Sequence, residues 1–205
     1  MPASTHRKPT SSSAPTPIGA SALENLRYIR DTIAAAGTFT TVPGKGCIAM
    51  GITALAASGL ESLPGLAPSW LPIWVGAAIM ACAVALYFME EKAKAQGLSL
   101  RRAVARRFFM TLVPAFVAGG VLTAALVHEI GRNSITGLWL LLYGSGLAAC
   151  GVFAVPAVLV AGLAFMALGT VALGLPASWS PAILALGFGG VHIALGVIIL
   201  RDHGG

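Results

Sequence analysis

Charge is what this sequence lacks most. Asp, Glu, Lys and Arg make up only 10% of its 205 residues, while 57% are apolar. A soluble domain carries about 25% charged residues, so this chain has too few to cover a water-facing surface. From Asn133 to Leu200 a run of 68 residues contains none at all. One helix of that length would extend about 100 Å, against a hydrocarbon core of about 30 Å, so the stretch must fold back into three spans.

Other absences narrow the function. Three cysteines, Cys47, Cys82 and Cys150, lie in separate apolar segments with neither CxxC nor Cys/His spacing, so they read as small packing residues. No P-loop, zincin or nucleophile motif occurs, and enzymatic function is not expected. The apolar runs lack the alternation of barrel strands, which leaves helices as the spanning form. The first such run begins only near Gly46, too far from Met1 for the h-region of a secretory signal.

What is present is an all-α, polytopic pattern. Residues 1–20 form a Ser/Pro/Thr-rich tail expected to be disordered, since it has little apolar surface to offset ordering entropy. Residues 21–37 follow as an amphipathic interfacial helix. Ser21 and Glu24 make an S-x-x-E capping box, Leu26, Ile29 and Ile33 share a face, and Gly37 is the stop. A membrane domain over 44–201 then contains six candidate spans: Gly46–Leu63, Trp70–Met89, Phe108–Val127, Thr136–Phe153, Ala157–Leu175 and Pro181–Leu200. The first is the weakest, because Glu61 lies near its end. No other span contains an Asp, Glu, Lys or Arg, so a proton-coupled carrier built on membrane carboxylates is not expected.

The net charge of +6 sits at span ends rather than in a nucleic-acid patch, so no nucleic-acid partner is expected. With both termini in the cytoplasm, 12 of the 13 Lys and Arg residues fall inside and only Arg132 lies outside. That asymmetry sets the orientation. Trp70, Trp74, Trp139 and Trp179 all fall at the outer ends, as an interfacial aromatic belt would. The basic residues Arg27, Arg30, Arg101, Arg102, Arg106 and Arg107 are expected to meet anionic headgroups or a protein partner.

The segment 65–72 (GLAPSWLP) echoes 174–181 (GLPASWSP). This points to three hairpins, the first and third of them repeats in parallel orientation. Small residues at spacing four, including Gly120/Ala124 and Gly190/Ala194, read as helix-packing ridges, and Pro114 as a kink. His128, Glu129 and Arg132 group at an outer loop, an incomplete metal set that reads as a solvated loop with a local ion pair.

His192 is the one ionisable side chain well inside a span. Two readings stand. It is a neutral imidazole bonded to a neighbouring helix, or a cofactor ligand with Gly189 and Gly196 flattening its face for a planar macrocycle such as haem. No second in-span histidine is available for a bis-His haem, and no cofactor is strongly implied.

The stretch ENLRYIRDT (24–32) through GTFTTVPG (37–44), with the C-terminal GFGGVHI (187–193), resembles a family of uncharacterised bacterial six-span inner-membrane proteins. That resemblance implies a multi-pass inner-membrane protein and transfers no site. The first functional expectation is a non-catalytic subunit or scaffold of a larger membrane complex, of respiratory or photosynthetic type, or a homo-oligomer. The second is a small transporter or channel for an uncharged or lipid-like solute, with a polar cavity at His192. The third is a pigment- or haem-binding subunit using His192.

Overall fold

A computed structural model describes residues 24–29, 42–95 and 103–203. The chain divides into two units, Met1–Gly37 and Thr38–Gly205. In the first, 24–29 is helical with Leu26, Tyr28 and Ile29 exposed. Ser21, Arg30, Ile33 and the rest of the expected amphipathic helix, like the 1–20 tail, lie outside the described residues.

The second unit is helical, with no strand among the described residues. Its elements are α1 (Gly44–Glu61), α2 (Trp70–Ala95), α3 (Ala103–Leu126), α4 (Arg132–Gly151) and α5 (Pro156–Gly174). A composite last span follows, made of α6 (Ser180–Leu184), a π-helical segment (Ala185–Val191) and α7 (His192–His203). Five helical stretches are long and apolar enough to cross a membrane: Ala67–Ala95, Arg106–Leu126, Arg132–Gly151, Pro156–Gly174 and Ala177–Asp202. The expectation of six therefore holds at five. α1 falls short because its 18 residues include Lys45 and Glu61 at opposite ends, as well as four glycines.

Local sequence sets the ends. Pro156 opens α5 at its first position, where the missing N–H costs no hydrogen bond. The two echoing loops both wind into a 3₁₀ turn before the next helix, Ala67–Ser69 and Ala177–Trp179. Thr53, Thr123 and Thr170 donate back to the carbonyls of Ala49, Gly119 and Met166 four residues earlier, so these hydroxyls are satisfied without water.

Packing differs from the spacing-four ridges read in the sequence. Among apolar neighbours there is no hydrophobic drive to bring helices together in lipid, so close approach and van der Waals contact decide. The glycines that allow it recur at spacing seven: Gly44 and Gly51 on α1 face Gly196 and Gly189 of the last span, and Gly137 and Gly144 on α4 face Gly169 and Gly162 on α5. A Cβ on Gly51 would stand 2.7 Å from the Gly189 carbonyl oxygen, and one on Gly137 would stand 2.9 Å from that of Gly169. A spacing of seven keeps a glycine on the contact seam as two helices wind left-handedly around one another.

Gly120 and Ala124, by contrast, are exposed, and a Cβ on Gly120 would meet nothing within 4 Å. Ala194 is exposed as well, and a Cβ on Gly190 would meet only Leu186 Cδ1, at 3.4 Å. Within the bundle these four are not packing positions, and the exposed ridge remains open to another protein.

The main core lies among α4, α5 and the last span, around Leu140, Leu147, Val158, Phe165, Leu195 and Ile199. α2 packs closely on α1, and α3 on α4. Lys92 is buried and donates to the Val42 carbonyl at 3.2 Å, tying the end of α2 to the start of α1. Arg106 and Arg107 are exposed, whereas Arg101 and Arg102 lie outside the described side chains.

Candidate functional site

Between α2 and α3 the bundle holds a cavity of about 830 Å³. Its walls are mostly apolar, with small residues on both facing helices: Ala77, Ala78 and Ala81 on α2, Ala115, Gly120 and Ala124 on α3. Gly120 and Ala124 thus leave room within the bundle. Along α2 the lining runs from Leu71 to Cys82, a depth of about 16 Å at 1.5 Å per residue, roughly half a hydrocarbon core.

The floor is aromatic. Tyr143 of α4 and Phe188 and His192 of the last span line it, with Phe165 of α5 buried behind them, ring centroids 4.9 Å apart for Tyr143–Phe165 and 5.1 Å for Phe165–His192. His192 is only 3% exposed. Its Nδ1 lies 2.9 Å from the Phe188 carbonyl oxygen and its Nε2 lies 2.7 Å from the Tyr143 hydroxyl. A carbonyl only accepts, so Nδ1 carries the hydrogen. No carboxylate faces the ring in these contacts, and an imidazolium there would be an unpaired buried charge, so the ring is neutral. Nε2 then accepts, and Tyr143 donates to it. The π-helical segment, with Gly187, Gly189 and Gly190, ends directly before His192, a placement typical of functional sites.

This geometry does not fit a haem ligand. Both imidazole nitrogens are engaged within the protein, and the faces of Gly189 and Gly196 are covered by α1: a Cβ on Gly189 would stand 2.6 Å from Leu55 Cδ2, and one on Gly196 2.7 Å from Ile48 Cγ1. The glycines flatten the helix for a neighbouring helix and not for a macrocycle.

A second polar cluster lies toward the tryptophan end of the cavity. Glu61, 3% exposed at the end of α1, pairs with Arg132 at the start of α4 and accepts from Trp74 Nε1 at 2.8 Å. The Arg132 guanidinium also lies over the Trp70 ring, 4.8 Å from its centroid. Trp70 packs on Trp139, and Trp139 Nε1 donates to Thr123 Oγ1 at 2.7 Å, so the set links α1, α2, α3 and α4.

Sequence reading placed Arg132 in a loop pair with His128 and Glu129. Those two are exposed, and the partner is Glu61, 71 positions away. The aromatic belt is corrected too: Trp179 is exposed, but Trp74 is buried and hydrogen-bonded, its indole N–H drawn inward by the carboxylate. Cys47 and Cys150 are buried and free, in keeping with packing roles, while Cys82 is exposed at the cavity. Among the described residues no three His, Cys, Asp or Glu side chains are grouped to hold a metal ion.

Tyr143 was not singled out in the sequence. A tyrosine within an otherwise apolar run was a usable signal, because a buried phenol needs a partner. No protein-family model, curated protein or solved structure matches the chain.

Proposed function

We propose that this protein binds an uncharged, lipid-like molecule inside one half of the bilayer, as the site of a small carrier for such a solute. The observation that carries this reading is the cavity between α2 and α3 that reaches the Tyr143–His192 pair. Its volume of about 830 Å³ lies in the range of small-molecule sites, about 300–1,000 Å³. Its lining offers few polar groups, so a charged ligand would lose its hydration without replacement. The polar cavity expected at His192 is instead an apolar one with a single polar pair at its floor.

In this reading the chain crosses a bacterial inner membrane six times, α1 included, with both termini in the cytoplasm. α1 crosses despite its modest apolarity because Glu61 is neutralised by Arg132 and its glycine seam is covered by the last span. The cavity then lies in the outer leaflet, and ligand enters sideways between α2 and α3.

A second reading, a non-catalytic subunit of a larger complex or a homo-oligomer, draws on the extensive exposed apolar surface of α2 and α3, including Ile79, Met80, Val117 and Val121. Exposed Arg106 and Arg107 would then meet the partner or anionic headgroups on the cytoplasmic side. The cavity favours the first reading, since its depth of about half a bilayer suits an inserted molecule better than a helix crossing the full core.

Gly120→Leu separates the two. No atom lies within 4 Å of a Cβ there, so the leucine can enter the cavity. Replacing a mid-helix glycine should also stabilise α3, by about 0.8 kcal/mol. The expected result is a protein that folds at least as well as wild type and loses the lipid that co-purifies with it, read by mass spectrometry of organic extracts. Unchanged lipid content in Gly120→Leu would overturn the binding reading. A stable partner protein retained by both forms in native gels would favour the subunit reading.

A further inference from the structure

The polar atoms of the cavity specify the ligand more narrowly than its apolar walls do, and the inference drawn from them rests on the proposed binding function. Six lining residues carry a side-chain N–H, O–H or S–H: Trp74, Cys82, Thr123, Trp139, Tyr143 and His192. Each strong donor among them already has a partner. Trp74 Nε1 donates to Glu61, Trp139 Nε1 to Thr123, Thr123 Oγ1 to the Gly119 carbonyl, Tyr143 to His192, and His192 Nδ1 to the Phe188 carbonyl. The Cys82 thiol is a weak donor only. Main-chain N–H groups in helices are bonded within the helix.

Acceptor capacity, in contrast, is left over. The Tyr143 hydroxyl oxygen donates its one hydrogen to His192 and keeps lone pairs free to accept. Because that hydrogen is drawn toward a neutral imidazole whose own N–H is bonded to Phe188, the chain of bonds polarises the phenol oxygen and strengthens it as an acceptor. A ligand carbonyl or ether arriving at this floor would find no donor and would leave its own oxygen without a partner. A ligand hydroxyl would find an acceptor there in Tyr143 Oη, the remaining lone pair of Thr123 Oγ1 lying in the second polar cluster.

We propose that the cavity selects apolar molecules bearing a hydroxyl group, with the ligand O–H donating to Tyr143 Oη, and discriminates against ketone and ether counterparts. His192 acts here as a positioning residue: by accepting from Tyr143 it fixes the phenol as an acceptor toward the ligand. Removing it frees the phenol hydrogen to donate, and since ketone and alcohol oxygens both accept, His192→Leu removes the preference while roughly preserving volume.

The test uses the full-length protein in detergent, photolabelled with a diazirine-bearing hexadecane. Labelling is competed by 1-hexadecanol and by 2-hexadecanone. In wild type the alcohol should compete about fivefold to tenfold better than the ketone, the worth of one net hydrogen bond. In His192→Leu the ratio should fall to about one. A double variant, Tyr143→Phe with His192→Leu, should show no preference.

Equal competition by both probes in wild type would overturn the hydroxyl preference and leave the binding site intact. So would an order unchanged by His192→Leu. Labelling that neither probe can displace would overturn the binding site itself, and the preference with it. The wild-type ratio decides the matter even where a variant fails to fold.

Discussion

Arg132→Ala should destabilise the bundle by about 3–5 kcal/mol, the cost of leaving a buried charge without its partner. Glu61 is 3% exposed, and its carboxylate is held by Arg132 and by the neutral indole N–H of Trp74. With Arg132 gone, one neutral donor remains to support a full negative charge away from water. The variant also removes the cation over Trp70, and with it one tie between α4 and α2. Replacing both partners at once, Glu61→Gln with Arg132→Met, should cost far less than the single change, because no unpaired charge is left. Thermal unfolding in detergent, followed by circular dichroism, reads both. Equal losses in the single and double variants would show that the carboxylate reaches water on its own.

Gly144→Leu should be as damaging for a different reason. A Cβ at Gly144 would stand 2.7 Å from the Gly162 carbonyl oxygen and 2.8 Å from the Met166 nitrogen. Both are backbone atoms that cannot turn aside, so α4 and α5 must separate as whole helices. Separation would also lift the Gly137–Gly169 contact one seam repeat away and unpack the buried Phe165 and Leu140. The loss should be about 3 kcal/mol or more, at the upper end for overpacking, and the yield of monodisperse protein should collapse. Gly120→Leu is the matched control, the same exchange in a neighbouring helix where space is open. If the two variants behave alike, the spacing-seven glycines do not form the seam.

The fold was largely legible because bilayer physics leaves few options. An apolar run of about 20 residues must be a helix, and the helices begin and end within a few residues of the expected spans, except that α2 continues past Met89 to Ala95 and α3 starts at Ala103. His192 was legible as a buried polar group for the same reason. Its partner was not: Tyr143 lies 49 positions away, and nothing local in either segment marks the pairing. The glycine seams were present in the sequence at spacing seven, but a chain with 25 glycines offers many spacings. Only the contact surfaces separate those that touch a backbone from those that open a cavity.

The sequence by itself therefore determined that this chain is a set of apolar helices, because the low count of charges and the apolar runs without strand alternation leave helices as the spanning form. The tertiary structure decided what those helices enclose. Arg132 could pair with nearby Glu129 or distant Glu61, and desolvation of the carboxylate at the end of α1 selected the distant one. Gly189 and Gly196 could face a cofactor or a helix, and α1 took the place. The same depletion of charge leaves a cavity lined almost wholly by apolar atoms, with the Tyr143–His192 pair at its floor.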